Sequence, residues 1–413
     1  VFVSHHALPS RKVNQYHQVM RKILQPPWLR LRACATAENA LPASTAPSPA
    51  AKVEHYAALD GIRGLSALYV LLFHTGHWLD VPWLAVNGGL SVDTFFTLSG
   101  FVLARAYKDR RDRLSNMDFL LQRLVRLMPV IALSLLISAP YVALRNSMTS
   151  GATYASQIVV AVLLGLLNIP YFHAPPQIGG PQVFPLNGPQ FSLFFEIVAN
   201  AFWWSIRRLN PLYSSASLYI VSACFVLTVG VGGDQTDNFM CGFGHVGSSF
   251  FVGVFCYQIK DLLARRVNLT PVFYILLVVM VIIFTMPYEL DHTQRMLWKL
   301  LLAPLLVVSG SSITLSDPLK DLSILVGDLS YPIYALHFPI FSWINGLYQK
   351  LSGGKSAAIE AATLFAATLI LSYLALRLYD RPTRAYLTRL LKASRKPIIP
   401  RIDRRCRERP DGL

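Results

Sequence analysis

Residues 59–101 read LDGIRGLSALYVLLFHTGHWLDVPWLAVNGGLSVDTFFTLSGF. Two apolar runs of membrane length lie in this stretch, parted by a short link around Pro82. A helix needs about 20 apolar residues to cross a bilayer core. Arg63 opens the first run and His74 lies inside it, with ten residues between them. Eleven positions are close to three helical turns. Both side chains therefore project from one face, about 16 Å apart along the axis. Ionisable groups in a bilayer are costly, so they mark cavities and reaction paths.

The rest of the chain extends the pattern. Of 413 residues, 53% are hydrophobic and only 15% charged. A soluble chain of this length would carry more charge and show amphipathic helices. Further apolar runs lie near 127–146, 155–171, 189–206, 213–231, 243–259, 270–287, 296–314, 328–348 and 357–378. The fold expected is all-α, a polytopic transmembrane helical bundle over 57–386. Residues 1–56, Ala/Pro/Ser-rich in their second half, read as a flexible basic cytoplasmic extension without a signal peptide. Residues 387–413 read as a basic cytoplasmic tail.

The net charge is +16. Residues 1–56, 105–126 and 391–413 carry most of it, so the positive-inside rule explains it and nucleic-acid binding is not expected. Placing the 105–126 loop, Arg207-Arg208, Lys260 to Arg266 and the tail in the cytoplasm puts both termini there. Between Arg126 and Arg207, however, three apolar runs stand where an even number of crossings is required. The 155–171 run, followed by FHAPPQIGGPQVFPLNGP, is expected to dip in and return. About ten full crossings remain. Irregular backbone at membrane depth is tolerated only where it lines a protein-enclosed cavity.

Several residues are candidates for chemistry. His74 has the pKa range of a general base for a hydroxyl; a packed, hydrogen-bonded histidine is the competing reading. Asp93, in GGLSVDTFFTLSGF, reads equally as a catalytic or a structural carboxylate. Arg123 and Arg126 form an RxxR pair, which suits an anion clamp or a topological anchor. Glu196 sits in an apolar run with Asn200 one turn on, and is expensive without a function. Tyr331, Tyr334 and His337 form a stripe in SYPIYALHFPI. The five cysteines show neither paired nor metal-type spacing, and no GxSxG, Walker, HExxH or CxxC pattern occurs, so no metal site is expected.

Taken in order, these residues resemble a known family. LDGIRG, the Arg63–His74 spacing, GLSVDTFFTLSGF, the RxxR of Arg123 and Arg126, Ser192 to Glu196, and Ser330 to His337 are similar to the bacterial membrane-bound acyltransferase 3 family. The likeness covers roughly 57–386. It implies transfer of an acyl group, often acetyl, from acyl-CoA to a hydroxyl of a carbohydrate, glycolipid or small acceptor. Acyl-CoA would be a co-substrate rather than a tightly bound cofactor, and the inner membrane would be the location. Arg63 and His74 would be the essential pair of the first helix. Arg123 and Arg126 would meet the acyl-CoA phosphates, and Glu196 would sit in the catalytic cavity. From their own positions, Asp93, Tyr331 and His337 are candidates for supporting roles, with Asp93 open between catalysis and support. FSLFFEI departs from the tryptophan-led double-acid form of the family and leaves the acceptor class open. The expected mechanism has His74 as general base, with Arg63 or a nearby donor stabilising the thioester oxygen. The rival is a polysaccharide or lipid exporter that uses the same Arg, His and Glu for gating; such transporters often show inverted repeats, which this sequence lacks.

Overall fold

Each apolar run of the sequence forms a helix. The computed structural model describes residues 56–353 and 356–393. The expectations for residues 1–55 and 394–413 lie outside the described residues. The helices are α1 (Ala57–Trp78), α2 (Ser91–Ala106), α3 (Asn116–Ser150), α4 (Ala155–Leu166), α5 (Gln190–Ser205), α6 (Pro211–Val229) and α7 (Cys241–Arg266). They continue with α8 (Leu269–Thr285), α9 (His292–Leu297), α10 (Ala303–Gly310), α11 (Asp317–Ser352), α12 (Ala357–Leu374) and α13 (Arg381–Ala393). A π-turn at Trp298–Leu302 joins α9 to α10, and another at Ala375–Asp380 joins α12 to α13. Among the described residues there is no strand, only one isolated bridge between Gln182 and Gln235.

Among the described residues, five helical stretches are long and apolar enough to cross a membrane: Ala57–Trp78, Asn116–Ser150, Pro211–Val229, Asp317–Leu351 and the continuous Ala357–Ala393. Apolar side chains also cover outer faces, such as Val221 on α6 and Ile275 and Val278 on α8. Water would penalise that arrangement and lipid would not. The chain is a multi-pass membrane protein.

Local signals set the ends. Ser115 caps α3 by accepting from the Asp118 amide at 3.1 Å, and Gly151, at φ +70°, stops it with a left-handed turn. This places Arg123 and Arg126 inside the helix rather than at its mouth. The apolar run expected over 127–146 is only the lipid-soluble part of a 35-residue helix.

Two parallel helix pairs position everything else. In the first, α1 and α11 run side by side. Gly61 faces Ser323, Gly64 faces Val326 and His74 faces His337. A Cβ on Gly64 would lie 2.5 Å from Val326 Cγ2, so only glycine permits this approach. In the second pair, α2 lies along α7. A Cβ at Gly100 would collide with the Phe250 carbonyl, and one at Gly253 with that of Thr97. Leu98, Phe101, Val252 and Cys256 extend that contact into the largest buried cluster.

The 155–171 run behaves differently from its neighbours. α4 has twelve residues, about 18 Å of helix, which is shorter than a bilayer core. It packs antiparallel to α3, with Ile158, Ala161 and Gly165 against Val142 and Leu135. The chain then turns back. Val183 donates to Asp234 O at 2.9 Å and Thr236 to Pro181 O at 3.2 Å, which ties the loop to the α6–α7 link. Gln190 then donates to Gly165 O at 2.8 Å and to Asn168 at 3.1 Å, so α5 starts against the end of α4. The Pro/Gly-rich segment is thus irregular backbone, buried over 183–190 and exposed at Phe172, His173, Pro176, Gln177 and Pro181.

Candidate active site

The site is built from α1, α2, α3, α5 and α11. At the Arg63 end, Glu196 Oε1 accepts from Arg123 Nη2 at 2.9 Å and from Ser99 Oγ at 2.7 Å. Three helices meet in that contact. Arg123 is only 12% exposed, so the ion pair is sheltered from screening. Arg63 donates to Asp60 at 2.8 Å, one turn back along α1. Its head therefore points away from His74. Arg126 is exposed, beside the carbonyl of Leu127 that accepts from the Tyr331 hydroxyl.

One turn beyond Glu196, Asn200 is 1% exposed, and neither its Oδ1 nor its Nδ2 has a partner. A buried amide without partners costs free energy, which marks a place for a polar ligand group. In the other direction along α5, Ser192 shares a 2.6 Å hydrogen bond with the Tyr334 hydroxyl. Tyr334 lies one turn before His337 on α11.

His337 and His74 close the line. Their rings stack at 5.0 Å and 30°. Trp78 stacks on His74 at 5.1 Å, and Phe341 stacks on Trp78 at 4.0 Å. His337 is fully buried. Its Nδ1 faces the Ile333 carbonyl at 3.1 Å, so that nitrogen carries the hydrogen. In the neutral ring Nε2 then holds a lone pair, and it has no partner. A line of polar groups thus runs from Arg123 and Glu196, through Ser192 and Tyr334, to the two imidazoles.

Asp93 is not in this line. Its Oδ1 accepts from the Lys299 ammonium, from Ser249 Oγ at 3.1 Å, and contacts His245 Nε2 at 3.2 Å. Lys299 is fully buried and also donates to His245 O at 2.8 Å. The π-turn delivers this lysine to the α2–α7 seam, where the cluster joins three elements. Sequence reasoning missed Lys299 and His245. The signal for Lys299 was present: it is a lone cation in MLWKLLLAPLL. Among the described residues, no three His, Cys, Asp or Glu side chains converge as a metal site.

Comparison with known proteins agrees with the motif order. The model of a family described as an acyltransferase domain, acyltransferase 3, matches residues 56–377. The chain belongs to this acyltransferase family. Protein 2 in the picA locus of Rhizobium radiobacter is 31% identical over 177 residues, 37% of this chain and 84% of that protein. A putative O-acetyltransferase of Staphylococcus aureus strain COL is 30% identical over 89 residues, 21% of this chain and 14% of that protein. The O-acetyltransferase OatA of Staphylococcus aureus strain NCTC 8325 is 32% identical over 76 residues, 18% of this chain and 12% of OatA. No solved structure matches. The segment shared with the two O-acetyltransferases is thus a small part of each.

Proposed function

We propose that the protein is an integral inner-membrane O-acyltransferase. It moves an acyl group, in the simplest case acetyl, from acyl-CoA to a hydroxyl of a carbohydrate or related acceptor. The observation that carries this reading is the polar line from Arg123 and Glu196 to the stacked His74 and His337. Family membership and the names of the relatives supply the reaction class.

The donor end is the Arg63 end. Arg126 is exposed and Arg123 lies just inside, so phosphates dock where two arginines are three residues apart on one helix. The pantetheine arm carries two amides, and Asn200 offers an unpaired amide donor and acceptor beside Glu196. The arm then spans the roughly 16 Å between Arg63 and His74. The Arg63 pairing with Asp60 favours a role for Arg63 at the donor mouth. It leaves the thioester oxygen to the Tyr334 hydroxyl or a backbone amide rather than to Arg63.

At the far end, the acceptor hydroxyl attacks the thioester carbonyl carbon. His74 takes the hydroxyl proton, the carbon–sulfur bond breaks, and the CoA thiolate leaves and is protonated. With about ten crossings and α4 as a re-entrant segment, this end would face the outer side. Acyl groups then enter from the cytoplasm and leave toward an acceptor beyond it.

Direct donor binding tests the reading. Calorimetry with purified protein in detergent is expected to detect acetyl-CoA binding, and Arg126→Gln to weaken it about tenfold. A wild-type protein that binds no acetyl-CoA would leave the exporter reading in place.

A further inference from the structure

The irregular 167–189 loop encloses space. With α3 and α11 it forms a cavity of about 200 Å³. Five residues of the loop line it: Ile178, Gly179, Gln182, Pro185 and Leu186. Gly179, at φ +118°, lets the loop fold onto itself, because a Cβ there would strike the Pro185 carbonyl. An uncharged loop bent to this shape does more than connect α4 to α5.

The lining has the chemistry of a sugar site. Tyr141 and Phe338 supply aromatic rings, and Ser138, Arg145, Gln182 and Ser342 supply polar groups. Ser138 is 2% exposed and its Oγ has no partner. Arg145 spends one nitrogen on Gln177 O at 2.7 Å and keeps others for a ligand. Ser342 Oγ donates to Phe338 O at 3.1 Å, which leaves its lone pairs as acceptors. Donors, acceptors and aromatic rings share the lining, as a ring with hydroxyls on its rim requires. No carboxylate lines the cavity, so a cationic ligand gains nothing there. The volume equals about seven waters at ~30 Å³ each, which is the scale of one sugar ring.

The position is equally informative. Phe338 follows His337 in sequence and forms a wall of the cavity. It meets Trp78 edge-on at 5.5 Å, and Trp78 stacks on His74. Two aromatic side chains, Phe338 and Trp78, therefore stand between the cavity and the His74 imidazole. We propose that the cavity between α3, the 167–189 loop and α11 is the acceptor site and seats one hexose-sized ring. Rotation of Phe338 together with Trp78 opens the passage for the reacting hydroxyl. This proposal rests on the reading of the protein as an O-acyltransferase.

The test uses membrane vesicles from the native cell, which contain the natural acceptor, and radiolabelled acetyl-CoA as probe. Alkali-labile label in saccharide is measured for the wild type, Gln182→Leu and Ser342→Trp, with membrane abundance of each checked. Both variants are expected to lower incorporation at saturating acetyl-CoA by about tenfold or more, with KM for acetyl-CoA at the wild-type value. Ser147→Val, exposed on α3 outside the cavity, is expected to match the wild type. If both cavity variants incorporate label as the wild type does, the acceptor-site assignment is overturned while the enzyme reading stands. If a variant is made in normal amount and raises KM for acetyl-CoA instead, the cavity belongs to the donor and the assignment again fails. If the wild type labels no saccharide, the carbohydrate O-acyltransferase reading fails, and this proposal with it.

Discussion

The Asp93–Lys299 pair gives the sharpest test of how the bundle is held. Lys299 is fully buried and Asp93 is 4% exposed, so water cannot replace either partner. Lys299→Met keeps most of the side-chain volume but leaves the carboxylate with only Ser249 and His245. Asp93→Asn leaves the ammonium with Ser249 Oγ at 2.9 Å and the His245 carbonyl. Removing one partner of a buried pair costs about 3–5 kcal/mol, because the other charge remains desolvated. Removing both charges avoids that cost, so the double variant is expected to be far more stable than the sum of the singles implies. The assay is a double-mutant cycle on unfolding midpoints of detergent-purified protein, with monodispersity checked by gel filtration. Singles that add to the double within about 0.5 kcal/mol would show no coupling and refute the argument. Because the cluster stands apart from His74 and His337, the double variant is also expected to retain acyl transfer. Loss of activity in a stable double variant would return Asp93 to the catalytic candidates.

Other outcomes follow from the geometry. In a cysteine-free background, Ser150→Cys and His173→Cys are expected to react with a membrane-impermeant maleimide from the same side, and Ser205→Cys from the other; labelling of 150 and 173 from opposite sides would mean that α4 crosses. Tyr334→Phe removes the 2.6 Å hydrogen bond to Ser192 and is expected to cost about 1 kcal/mol in thermal stability. If the hydroxyl also meets the thioester oxygen, kcat falls by about 10²–10³ with KM for acetyl-CoA unchanged. Steady-state kinetics with labelled acetyl-CoA separates the two effects.

Much of the fold was legible because lipid imposes a simple rule: a spanning segment must be apolar and satisfy its own backbone. That rule found the apolar helices and singled out 155–171, which forms the short α4, but it did not announce the amphipathic α13. It did not find true helix lengths. α3 starts at Asn116 because Ser115 caps it, and its polar first turns fall below any hydropathy threshold. The three-turn spacing of Arg63 and His74 was readable from the helical period, but the turn of the Arg63 head back to Asp60 was not. Contacts between helices were not. Glu196 looked unpartnered because its arginine lies 73 residues away on α3, and no local pattern announces that meeting. The Asp93 cluster was hidden for the same reason, since its members span residues 93 to 299. The parallel register of α1 and α11, which stacks His74 on His337, depends on Gly61, Gly64 and Gly327. These glycines were visible in the sequence, but their partners were not.

The central claim is that His74 moves a proton during acyl transfer from acyl-CoA. The most direct measurement compares wild type and His74→Ala, purified and reconstituted with native-membrane acceptor and radiolabelled acetyl-CoA. The account predicts a loss of transfer of at least about 10²–10⁴, with acetyl-CoA binding and membrane insertion preserved. Transfer by His74→Ala at the wild-type rate would contradict it.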